Sequence, residues 1–227
     1  MHILFLILIV LLILLGPGIW VQVVIKRYQQ PADRYDESGA ELARRLLDRY
    51  GMEQVGVERT EKGDHYDPIA KAVRLSLPHH DGKSLAALVI AAHETGHALQ
   101  DATAYPPLHL RTRLVRWVGP VEKVGAGLLM ATPLIMGITR LPWTGILMLL
   151  GGVLTLGSAV LIHLMTLPTE FDASFNRALP MLDEQAVLFA GDEQHARKLL
   201  RAAAMTYVAA SMMSLLNIAR WWAILRR

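Results

Sequence analysis

The 227-residue chain has no cysteine. That excludes disulfides, thiolate-ligated metals, iron–sulfur clusters and a thiol nucleophile, and leaves His, Asp and Glu to hold any metal. Charge is scarce. Asp, Glu, Lys and Arg make up 19% of the residues, where an ordinary soluble domain carries about 25%. Hydrophobic residues reach 53% and the mean hydropathy is +0.32. A disordered chain is excluded, a soluble globule is disfavoured, and a membrane protein is indicated. The formal net charge is only +3. No Lys/Arg-rich run is interleaved with aromatic residues, so nucleic acid is not an expected partner. There is no internal repeat, low-complexity tract or interdomain linker.

The apolar residues are concentrated in long runs. Ile3 to Ile25 carries no formal charge. At about 1.5 Å per helical residue it is long enough to cross a ~30 Å hydrocarbon core. A cleaved signal peptide would need a basic start and a small-residue cleavage site. Only Met1 and His2 precede the run, and Gly16-Pro17-Gly18 leads into Ile19, Trp20 and Val21. An uncleaved anchor is the expectation. Val124 to Thr139 is a second, short run between Lys123 and Arg140, and Leu141 to Thr169 is a third. The tight link at Arg140, Leu141 and Pro142 makes these two a helical hairpin. Ala202 to Leu225 is apolar apart from Arg220, with Trp221 and Trp222 of the kind found at membrane interfaces. It is expected to span the bilayer or to lie along its surface.

Two polar pieces remain. In the first, Glu41 to Arg49 places Leu42, Leu46 and Leu47 on one helical face. Val55 to Arg59 and Lys71 to Ser76 alternate like strands, and Asp64-His65-Tyr66-Asp67-Pro68 between them has the composition of a turn. A small β-meander is the expectation. Ser84 then caps a helix that ends before Pro106 and Pro107.

That helix contains His93-Glu94-Thr95-Gly96-His97. Residues four apart share a helical face, so both imidazoles can bind one Zn²⁺. Glu94 is offset around the helix, where it can act as general base toward a water at the metal and then return the proton to a leaving amine. The apolar run Leu85 to Ala92 just before His93 gives the motif the helical context it requires. The pattern points to metal-dependent peptide hydrolysis. A catalytic zinc usually takes three protein ligands. Gln100 and Thr103 stand where a metzincin would have Gly and His, so the third ligand must be distant. Glu170 and Asp172 compete for that role, in a segment where Pro168 suits a helix start. A carboxylate there could equally serve only the helix dipole.

Several blocks together are similar to one family. Asp64 to Pro68, Arg74-Leu75-Ser76, Ala91 to Gln100, Leu167 to Ser174 and Thr206 to Ala210 resemble the YugP-like membrane neutral zinc metallopeptidases. Their order also resembles a minimal gluzincin, as in HtpX-type membrane proteases, where the third ligand is the Glu of an E-[FY]-x-A-D block. The resemblance implies Glu170 as that ligand, with Phe171 and Ala173 in matching places. Ser174 stands where the wider group has Asp, so a carboxylate partner for a ligand histidine would have to come from elsewhere, Asp172 being the candidate. The resemblance further implies that Asp64 to Ser76 forms an edge strand above the active-site helix, where an extended protein or peptide substrate adds as a strand. His65 or Tyr66 would then donate to the developing oxyanion, unless Asp64, His65 and Asp67 only shape a turn. His79, His80, His109 and His195 are expected to be surface or packing residues.

The expected fold is a mostly α integral membrane protein with about four transmembrane or membrane-associated helices. It carries a small α+β gluzincin-type catalytic domain made of the active-site helix and a short β-meander. The expected division is an anchor at 1–25, a first catalytic part at 26–120, the hairpin at 121–167, a second catalytic part at 168–201 and a C-terminal helix at 202–227. Zn²⁺ is the expected cofactor, with His93, His97 and Glu170 as ligands and Glu94 as base. An even number of crossings between His97 and Glu170 returns the chain to the same side of the bilayer. Lys26, Arg27, Arg111, Arg113, Arg116 and Lys123 flank the catalytic part, against Arg140 alone at the hairpin tip, so that part should face the cytoplasm. An intramembrane-cleaving protease fits less well, because the apolar run before His93 is too short to span. A scaffold with a relic motif would have no chemical reason to keep Glu94.

Overall fold

Helix starts follow the local chemistry of the chain. A computed structural model of the protein describes residues 2–206, 208 and 209. After a long first helix, α1 (His2–Tyr28), Ser38 caps α2 (Gly39–Arg49). Its side chain accepts from the Glu41 N–H while the Glu41 carboxylate accepts from the Ser38 N–H, a reciprocal arrangement that satisfies two donors the helix itself cannot. Leu42, Leu46 and Leu47 of α2 are fully buried, as their spacing predicts.

Three short strands follow, β1 (Gly56–Arg59), β2 (His65–Asp67) and β3 (Ala72–Leu75). Their order is β1-β3-β2, with β1 parallel and β2 antiparallel to β3. The expected meander is therefore incorrect, and the Asp64 to Pro68 stretch, turn-like in composition, contains β2. The cause lies at one carboxylate. At the end of β1 the Thr60 N–H bonds to the Leu75 carbonyl, and Asp64 then accepts from the backbone N–H and the hydroxyl of Ser76. The chain is thereby pinned across the end of β3 and descends on its far side as β2. Asp67 makes the turn that follows, accepting from the N–H groups of Ile69 and Ala70. Central placement covers β3, whose Val73 and Leu75 are fully buried. Alternation of side chains encodes a strand but not its partner.

After a single turn, α3 (Leu77–His80), Ser84 caps α4 (Leu85–Ala102) by accepting from the Ala87 N–H. This helix is buried along most of its length and is the shared centre of the core. Leu85, Leu88 and Val89 pack with Leu42 and Leu46 of α2 and with Leu199 and Leu200, while Ile90 and Ala91 pack with Leu47, Val73 and Leu75.

Two long helices come next, α5 (Pro106–Thr139) and α6 (Pro142–Phe171), joined at Arg140, whose φ is +53°. Helix α5 begins well before the apolar run foreseen at Val124. Helix α6 passes through Pro168 and continues into a π-helical stretch, Asp172–Ala178, and then α7 (Leu179–Glu184). No helix starts at Pro168. Proline weakens a helix interior because it lacks a donor, but tertiary contacts hold the chain here: the Thr169 carbonyl accepts from the Gln100 side chain. A final described helix, α8, covers residues 193–206.

The chain divides into two units. One comprises Ile19–His109 and Leu167–Thr206, and contains the sheet, α2, α4 and α7. The other includes Leu110–Thr166 and the residues up to Gly18. Among the described residues one helical stretch is long and apolar enough to cross a membrane, Leu11–Tyr28. Pro106–Gly125 and Met130–Thr139 pass the same test only as a pair bent by 40°. Of the C-terminal helix expected over 202–227, residues 207 and 210–227 lie outside the described residues.

Candidate metal centre

Helix α4 presents His93 and His97 one turn apart, as their spacing requires, with ring centroids 4.8 Å apart and nearly perpendicular planes. Glu170, near the end of α6, reaches both. Its Oε2 lies 3.3 Å from His93 Nε2 and 3.3 Å from His97 Nε2. One ligand atom from each residue falls within 4.8 Å of the other two, and all three side chains are buried. Ligand atoms bound at ~2.0–2.1 Å on a tetrahedral ion stand about 3.3–3.4 Å apart. Two imidazole nitrogens and one carboxylate oxygen in this spacing are a donor set that fits Zn²⁺. Burial alone would raise the Glu170 carboxyl pKa, but the two imidazoles beside it outweigh burial and hold the group below its usual range. Glu94 is buried on α4 beside His93. Because α6 ends rather than begins near Glu170, a helix N-terminus does not account for this carboxylate.

The outward nitrogens of the histidines are also engaged. His93 Nδ1 lies 3.0 Å from Ser174 Oγ, and the Ser174 hydroxyl donates to the Leu200 carbonyl at 3.1 Å. Having spent its proton there, Ser174 accepts from His93 Nδ1–H. A hydroxyl thus does what a carboxylate would do at that position. His97 Nδ1 lies 2.9 Å from Gln100 Oε1. Asp172 stands behind Gln100, 2.8 Å from its Nε2, rather than behind a histidine. Such partners fix the ring orientation and tautomer of a ligand histidine.

Gly96 has a packing role. A Cβ there would lie 2.7 Å from the Ala173 carbonyl oxygen, so only glycine lets the π-helical stretch close against α4. Alanine normally favours a helix interior over glycine by about 1 kcal/mol. Overpacking against backbone costs about 1–3 kcal/mol, so the clash should prevail. Gly96→Ala is expected to lower the melting temperature and weaken zinc retention together. An unchanged melt with full zinc would show that the backbone yields freely.

Neither His65 nor Tyr66 belongs to the buried cluster. His65 Nδ1 bonds to the Gly63 carbonyl at 2.8 Å. The Tyr66 hydroxyl donates to Asp101, one turn past His97, at 2.7 Å, and Asp101 also pairs with Lys71. Burial first, then Asp101, pushes the Tyr66 pKa well up. His79 is buried against Asp64, His80 bonds to Asp81, and His195 lies 3.8 Å from Asp192. Sequence reasoning did not single out Gln100 or Gly96. Gln100 sits three residues after His97 on the same helical face, and a glycine inside a helix marks a close approach, so both carried a readable signal.

The family described as "Putative neutral zinc metallopeptidase" matches residues 3–226. The chain belongs to this family of zinc metallopeptidases. Among its relatives, the protein named "Putative membrane protease YugP" from Bacillus subtilis (strain 168) is 38% identical over 214 residues, covering 91% of either chain. No solved structure matches the sequence. The zinc of this metallopeptidase family and the buried His93, His97 and Glu170 agree on the metal, and the relative's name agrees with the apolar stretch at Leu11–Tyr28 on membrane association.

Proposed function

We propose that the protein is a membrane-embedded zinc endopeptidase of the hydrolase class EC 3.4.24, with His93, His97 and Glu170 as metal ligands and Glu94 as general base. The observation that carries this reading is the buried convergence of the three ligand atoms beside Glu94, from segments more than seventy residues apart in sequence. Zinc held by these residues would polarise a scissile carbonyl and acidify a water. Glu94 accepts the proton of the attacking water and returns it to the leaving amine. His65 and Tyr66 are the candidates to donate to the oxyanion. Tyr66 would first have to release Asp101. The substrate is a protein or peptide in extended form, added at the free edge of β2.

The membrane part comprises the anchor at 1–25, the hairpin at 121–167 and the helix at 202–227, with the catalytic parts at 26–120 and 168–201 on the cytoplasmic face. Support comes from the apolar runs, from the charge asymmetry about Arg140, and from the metal itself, since three ligands of one ion must share one side of a bilayer. Purified protein should hydrolyse casein, lose activity on chelation and regain it with Zn²⁺ or Co²⁺. A preparation that binds zinc and cleaves no protein substrate would overturn the peptidase reading. The natural chain has no cysteine, so single cysteines test topology cleanly. An impermeant thiol reagent on intact cells should label a cysteine at Arg140 and spare ones at Lys83 and Glu193. Labelling at Lys83 with protection at Arg140 would invert the orientation.

A further inference from the structure

Behind His97 a chain of hydrogen bonds runs outward through Gln100 and Asp172 to Arg177. Gln100 is fully buried. Its Nε2 lies 2.8 Å from the Thr169 carbonyl and 2.8 Å from Asp172 Oδ2. A side-chain amide has two N–H donors on nitrogen and none on oxygen, so both donors are consumed by these two acceptors. Oε1 is left facing His97 Nδ1 at 2.9 Å. The reverse orientation would set an amide oxygen against two other oxygens. An acceptor at Nδ1 requires the proton there, and a neutral imidazole has only one. Nε2 then carries the lone pair, on the side facing Glu170.

Asp172 is itself held from outside. Arg177 Nε donates to Asp172 Oδ2 at 2.8 Å, and Asn176 Nδ2 donates to Oδ1 at 3.0 Å. Arg177 is fixed in turn by the Thr103 hydroxyl at 3.1 Å and by the Tyr105 ring, 5.5 Å below its guanidinium. Asp172 and Arg177 are five residues apart on the π-helical stretch. An α-helix aligns residues three and four apart, whereas the i→i+5 repeat of a π-helix aligns this pair. The irregular helix therefore does a specific job in bringing Arg177 over Asp172.

We propose that Gln100, Asp172 and Arg177 are positioning residues of the metal site: together they set the Gln100 amide so that His97 keeps its proton on Nδ1 and offers Nε2 to zinc. The proposal rests on the zinc-site reading above. It makes Arg177, remote from the ligands in the bonding sequence, a determinant of metal affinity.

The test uses the full-length protein purified in detergent, with zinc affinity measured by chelator competition and the His97 tautomer read by ¹⁵N NMR of histidine-labelled apoprotein at a pH where imidazole is neutral. Melting of the apoprotein checks folding. Gln100→Leu should weaken zinc binding by about 10–100-fold, the usual scale for a lost partner of a ligand histidine. Arg177→Met should weaken it by about 10-fold on the same scale and move His97 toward a mixture of tautomers. Arg177→Lys should restore most of the affinity, because an ammonium still donates to Asp172. If Gln100→Leu does not fold, the two Arg177 variants decide alone. Wild-type affinity and an unchanged Nδ1–H signal in Arg177→Met would overturn the proposal. Failure of the wild-type protein to bind zinc would instead overturn the metal-site reading.

Discussion

Glu94→Gln should reduce proteolysis by at least ~10²-fold, the usual scale for losing a general acid–base group, while zinc content stays at the wild-type level. Glutamine preserves the size, helix propensity and burial of the side chain but cannot take a proton. The substitution leaves His93, His97 and Glu170 untouched, so metal analysis of the same preparation separates lost chemistry from a lost site. Casein hydrolysis at saturating substrate is the measurement. Full activity in a zinc-loaded Glu94→Gln protein would remove Glu94 from the mechanism. Loss of zinc along with activity would place Glu94 among the groups that build the site.

Removing a ligand should have a different signature. Glu170→Ala takes away one of the three proposed ligand atoms beside the buried His93 and His97. Zinc should then be lost by more than the ~10–100-fold expected when only a ligand's hydrogen-bond partner is removed. His93→Ala and His97→Ala should behave alike. Asp172→Ala is the discriminating comparison, because Asp172 lies two positions away yet contacts Gln100, Asn176 and Arg177 rather than the cluster. It should weaken zinc binding without abolishing it. Stoichiometric zinc in Glu170→Ala together with its loss in Asp172→Ala would reverse the assignment of the third ligand.

These expectations differ in how directly the sequence supports them. Spacing four apart on a helix placed His93 and His97 on one face, and the structure has them there. The Ser84 cap and the Leu42, Leu46, Leu47 face were equally readable, because each depends on atoms within one or two turns. Position in the chain left Glu170 and Asp172 as rivals, and only the family resemblance separated them. The strand order β1-β3-β2 is not legible, since alternation at Val73 and Leu75 marks a strand and says nothing of its neighbour. Proline favours a helix start by a sound local rule, which packing overrides at Pro168.

The absence of thiol chemistry, the apolar runs, the paired histidines with Glu94 between them, and the family are all legible in the chain before it folds. Those follow from composition and from interactions between near neighbours in the chain. Long-range packing is what closes Glu170 on Nε2 of both histidines, admits the Ala173 carbonyl at Gly96, and brings Ser174 and Gln100 to the outward nitrogens. Each of these joins α4 to the segment around Glu170, dozens of residues further along the chain, or depends on that segment for its orientation. The π-helical register that aligns Asp172 with Arg177 is set by how Asp172–Ala178 packs against α4, and no periodicity in the sequence announces it.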